Sequence, residues 1–167
     1  MDNTLDSLYL LAEVTTAFVA FAVIVASIRV TFGAKLEPFQ KLLVHFFSES
    51  GMLTVTFALT AIVLYNFLPD EVRVARITTW YAFLMIAGYL VWYIRRRKQI
   101  NAPTPLLSLL NIILWISWVI ILGLTLTELF WLPSLAIIAA LTFWGLFSAT
   151  IIFISFLGDF LDVTNES

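Results

Sequence analysis

Residues 106–127 read LLSLLNIILWISWVIILGLTLT, a stretch of 22 positions with no charged side chain. As a helix at 1.5 Å per residue it reaches about 33 Å, enough to cross the roughly 30 Å hydrocarbon core of a bilayer. Its apolar residues lack the alternation of a lipid-facing barrel strand. A helix satisfies its own backbone hydrogen bonds, and lipid cannot supply them. Working outward, four more apolar stretches qualify as spans: 8–30, 42–68 and 77–94 before it, and 131–157 after it. The breaks at 33–38, 69–71, 95–105 and 128–133 combine charge, Pro or Gly with loss of the apolar run. The expected architecture is therefore an all-α polytopic transmembrane bundle of about five spans, forming one membrane domain over residues 1–167.

Composition agrees with that reading. Of the 167 residues, 62% are hydrophobic and only 12% charged, against about 25% charged in soluble domains, and the mean hydropathy is +1.01. The net charge of −2 and the scattered basic residues argue against a nucleic-acid partner. There is no Cys and only one His, which excludes disulfides, thiolate metal sites and paired-His haem ligation. No metal and no cofactor is expected. Asp2 and Asp6 make the N-terminus acidic where a secretory signal is basic, so the first apolar stretch reads as a retained span.

Lys and Arg in short loops set the orientation. Arg29, Lys35 and Lys41 lie in the first loop and Arg95, Arg96, Arg97 and Lys98 in the third, against Arg73 and Arg76 in the second and none in the fourth. Loops one and three are expected in the cytoplasm, with the N-terminus outside, in a membrane of the bacterial inner (plasma) type. Trp80, Tyr81, Tyr89, Trp92, Tyr93 and Trp131 fall near span ends, as an aromatic belt predicts.

The second stretch is too long for one crossing. Phe39, Leu42, Leu43, Phe46 and Phe47 recur at helical spacing opposite Lys41, His45, Ser48 and Glu49, and Pro38 suits a first helical turn. This predicts an amphipathic helix over 38–50 lying in the interface, with Gly51 as a bend before a span at 52–68.

Ionisable and polar residues at membrane depth are the default functional candidates. Glu13 heads a face of the first span that continues Ala17, Ala20, Ile24 and Ser27, mostly small, suited to a pore lining or a tight subunit seam. Blandly, it is an interfacial carboxylate bonded to a neighbouring helix. His45 and Glu49 stand one turn apart, either a proton site or simply the wet face of the interfacial helix. On span four, Asn111 shares a face with Ser108, Trp115, Trp118, Leu122 and Thr125, with Glu128 beyond. That face reads as a conduction path or as interhelical glue. Span five, with Ser134, Leu141, Gly145, Ser148, Ile152 and Ser155, reads as a packing seam. Arg95, Arg96, Arg97 and Lys98 are a topology signal and candidate contacts for lipid headgroups.

No phosphate-binding Gly loop, His-Glu-x-x-His or Gly-x-Ser-x-Gly occurs, and no catalytic residue stands out, so an enzyme is not expected. The leading expectation is a small homo-oligomeric channel or pore for ions or protons, with Glu13, His45, Glu49, Asn111 and Glu128 as pathway candidates. The competing class is a non-conducting accessory, assembly or lipid-binding sensor protein. Expected partners are membrane lipids, further copies of the chain and, in the second class, another membrane subunit.

Overall fold

The computed structural model describes residues 2–31, 38–68, 70–100, 106–129 and 131–163. Five helices follow one another: α1 (Asp2–Thr31), α2 (Pro38–Phe67), α3 (Glu71–Lys98), α4 (Leu106–Leu126) and α5 (Leu135–Val163). Among the described residues there is no strand. All five are long and apolar enough to cross a membrane. Lys35 and the Pro-bearing break at 101–105 lie outside the described residues, as do the side chains of Arg29, Phe39 and Ser155.

Local chemistry sets the helix limits. Asp70 caps α3, its carboxylate accepting from the backbone N–H of Val72 at 3.0 Å and of Arg73 at 3.3 Å. Glu71 in the first turn and Arg95 to Lys98 in the last complement the helix dipole. Helix α4 closes with Glu128 in the left-handed region, φ 57°, a conformation common just past a helix end. Helix α5 starts at Leu135, four residues later than the apolar stretch suggests, because Pro133 restricts the chain before it and Ser134 supplies the first carbonyl, bonded by Ile137 N–H at 3.2 Å.

The second stretch differs from its expected form. Helix α2 runs unbroken for 30 residues, with no separate interfacial helix at 38–50 and no interruption at Gly51. The amphipathic face is real, but it meets protein: Leu42, Leu43, Phe46 and Phe47 are all buried. Phe46 packs on Tyr89 and Tyr93, and Phe47 on Phe153. Helix α1 has 30 residues, α3 28 and α5 29. At about 42–45 Å these also exceed the hydrocarbon thickness, so the surplus length of α2 has neighbours to lie against.

Sequential helices pack side by side, and α5 touches all four others, lying in the open side of the arc they form. Between apolar helices in a bilayer, where no water drives association, close van der Waals contact does the work, and small residues permit it. Gly145 of α5 meets α2 directly. A Cβ there would stand 2.8 Å from Thr54 Cγ2 and 2.9 Å from Thr54 Cβ. Gly51 likewise admits the side chain of Val19 from α1, which is why a glycine sits in an unbent helix. Thr15, Thr54, Thr78, Thr79 and Thr142 are fully buried, and each hydroxyl donates to the carbonyl four residues before it, at 2.6–2.9 Å. These polar groups are satisfied within their own helices and need no partner across a seam.

The Gly145 contact predicts a sensitive position in the bundle. Gly145→Ala should lower stability by about 1–3 kcal/mol through overpacking, read as a reduced melting temperature in detergent. Gly88→Ala, where a Cβ meets nothing within 4 Å, should leave it unchanged or raise it.

Candidate functional site

The sequence-predicted residues do not converge on one path. Glu13 is exposed, with no ion pair or hydrogen bond to any described residue, and Ala17, Ala20, Ile24 and Ser27 below it are exposed too. The whole row faces outward from the bundle. Glu128 forms an ion pair with Arg76 at the end of the bundle opposite Arg95 to Lys98. Asn111 is buried in the α4–α5 seam, where Trp115 Nε1–H donates to Ser148 Oγ at 3.0 Å and Ser148 donates to Asn111 Oδ1 at 2.7 Å. The Nδ2 of Asn111 is enclosed without a partner among the described residues. The face Ser108, Asn111, Trp115, Trp118, Leu122 and Thr125 is the one that α4 turns inward.

His45 and Glu49 are brought together, and Glu49 proves to be the centre of a larger group. Tyr89 of α3 donates its hydroxyl to Glu49 Oε2 at 3.1 Å. His45 Nδ1 lies 3.5 Å and Arg96 Nη1 4.0 Å from Glu49 Oε1, both longer than a good hydrogen bond. Arg96 is held off because its guanidinium lies over the Trp92 ring, 5.1 Å from the centroid. Of the basic run, Arg96 alone reaches this group. Arg97 donates to the carbonyl of Ile100 at 2.8 Å, and Arg95 and Lys98 are exposed.

Beneath Glu49 a groove of about 630 Å³ opens between α2 and α3, lined by Glu49, Met52, Leu53, Thr56, Tyr81, Leu84, Met85, Gly88, Tyr89 and Trp92. Its origin is local. Aromatic pairs tie α2 to α3 on both sides of it, Phe46 with Tyr93 at 4.5 Å and Phe57 with Tyr81 at 5.8 Å between centroids. Between these ties Gly88 has no side chain, and the space stays open. A second hollow of about 360 Å³ shares Thr56 and Tyr81 and continues to Leu64. Laid end to end along α2, the groove and this second hollow reach from Glu49 to Leu64, about 22 Å. Met52, Leu84, Met85, Gly88 and Trp92 are exposed on the outside of the bundle, so the groove opens sideways and not toward its interior.

Comparison with protein-family models, curated proteins and solved structures finds no match. Chemistry alone therefore decides what the site can do. Among the described residues, no group of three or more His, Asp or Glu side chains is placed to hold a metal ion. The long apolar walls under one carboxylate, two aromatic rings and a guanidinium suit an amphiphile.

The sequence marks Arg96 as one of four candidate headgroup contacts and Tyr89 and Trp92 as part of an aromatic belt, but it does not bring any of them to Glu49, and it does not mark Gly88. One signal was present: Tyr89, Trp92, Tyr93 and Arg96 recur at helical spacing on one face of α3.

The two polar clusters should respond differently to mutation. Ser148→Ala leaves a buried Trp N–H and a buried amide oxygen unpaired and should cost about 1–3 kcal/mol. Arg76→Gln breaks a half-exposed ion pair and should cost under about 1 kcal/mol. Denaturant titration of the two variants in one detergent checks the ranking.

Proposed function

We propose that the protein binds membrane lipid, as an accessory or sensor protein whose ligand site is the α2–α3 groove. The observation that carries this reading is the groove itself, apolar along its length, polar at one end and open sideways. In a bilayer that opening faces hydrocarbon, so an acyl chain enters it directly, whereas a water-soluble ligand must first cross lipid. Arg95, Arg96 and Lys98 lie at the polar end, where headgroups stand. In the orientation this proposal adopts, that end lies in the cytoplasmic leaflet of a bacterial inner membrane and the N-terminus lies outside.

The test uses delipidated full-length protein and a phospholipid carrying a photoactivatable acyl chain. Crosslinks should concentrate on Met52, Leu84 and Met85, and Gly88→Leu, which fills the groove without a clash at Cβ, should reduce them at least about fivefold. Crosslinks spread equally over other exposed apolar residues such as Phe21 and Ile113, or unchanged by Gly88→Leu, would exclude the groove as the site.

A second reading, a homo-oligomeric pore for cations or protons, is favoured by the exposed row on α1. The Val19–Gly51 and Phe57–Tyr81 contacts set the register and put Glu13 level with Tyr81, about 7 Å toward the membrane interior from Arg76. An outward carboxylate at that depth is costly against lipid. Further copies packed on the Ala17 and Ala20 face cover it and line an axis. Planar bilayers decide: cation current from the wild type, lost in Glu13→Gln, supports the pore, and silence across voltage and pH eliminates it.

A further inference from the structure

The polar end of the groove is specific about charge. Glu49 is the carboxylate that lines it, and Tyr89 and Trp92 flank it there. Tyr89 occupies Oε2, while Oε1 has neighbours only at 3.5 and 4.0 Å, so it has room to accept from one more N–H donor. A carboxylate beside aromatic faces is a receptor for a cation. Arg96, over the Trp92 ring, stands 4.0 Å from that oxygen, with Arg95 and Lys98 exposed in the same turn, a receptor for phosphate.

Resting on the lipid-binding reading above, we infer that the groove selects a phospholipid whose headgroup carries both a phosphate and a primary ammonium, of the phosphoethanolamine kind. The ammonium sits on Glu49 Oε1 between Tyr89 and Trp92, and the phosphate on Arg96. One acyl chain lies along Met52, Leu84, Met85 and Gly88 and continues past Thr56. An anionic headgroup without an amine satisfies Arg96 but sets uncompensated negative charge beside Glu49. A quaternary ammonium meets the rings but has no N–H to give Oε1. The opposite charges of the headgroup, two carbons apart, match a carboxylate and a guanidinium 4.0 Å apart.

Native mass spectrometry of the delipidated full-length protein measures this, with phosphatidylethanolamine, phosphatidylglycerol and phosphatidylcholine of identical acyl chains titrated in turn. The ethanolamine lipid should bind about tenfold more tightly than either of the others. Glu49→Gln should abolish that preference while leaving some binding of all three, and Gly88→Leu should weaken all three together. Glycerol or choline lipid bound as tightly as ethanolamine lipid, or a preference that survives Glu49→Gln, would overturn the headgroup assignment alone. Binding of all three unaffected by Gly88→Leu would remove the groove, and with it the lipid-binding reading. Binding of a second copy of the chain at this face, seen as a dimer lost in Gly88→Leu with no lipid retained, would overturn both.

Discussion

The contact between Gly145 of α5 and Thr54 of α2 governs how the rest of the bundle is arranged. Two helix backbones approach that closely only where one lacks a side chain, and the closer they come the more dispersion contact the flanking residues gain. With α5 drawn onto α2, the neighbouring Phe47 and Phe153 meet edge to face at 6.1 Å, and Phe18 of α1 joins them at 5.5 Å from Phe153. The hydroxyl of Thr54 is the atom closest to Gly145 in this seam, and it is satisfied there by donating to the Ser50 carbonyl at 2.8 Å. Helices α1, α2 and α5 thus form the dense part of the molecule.

Helix α3 is joined to that unit by a different kind of contact. Large rings bridge α2 and α3, and rings hold helices apart as well as together. The space above Gly88 follows from that difference. So does the polarity of its upper end, since the ring that meets Phe46 also carries the hydroxyl that holds Glu49. Met52 and Met85 at the rim are flexible and polarisable, suited to shaping themselves around a chain of variable form. The remaining polar groups, Trp115 with Ser148 and Asn111, and Arg76 with Glu128, knit α4 to its neighbours.

Much of the helical framework is legible in the sequence. Five apolar stretches of sufficient length became five helices, and the inward face of α4 was the one its polar and Trp residues mark. The amphipathic pattern at 38–50 was also read correctly as a face, but not what the face meets. Apolar residues at helical spacing look the same whether they face lipid or another helix, because hydrophobicity does not distinguish the two surroundings. For the same reason Gly51 read as a bend, whereas it is a place where Val19 enters.

The candidate site was legible only in half. His45 and Glu49 are one turn apart on one helix, and their proximity follows from helical geometry alone. Tyr89 and Arg96 reach Glu49 from 40 and 47 residues away, through the antiparallel register of α2 and α3, and nothing local in either helix specifies that register. The sequence by itself determined that the chain is helical and how many helices are long and apolar enough to cross a membrane. Those properties depend on backbone hydrogen bonding and apolar length, which are local. Which faces meet, which polar residues are paired, and where a groove remains were decided by tertiary structure, because they depend on side-chain volume matched across helices.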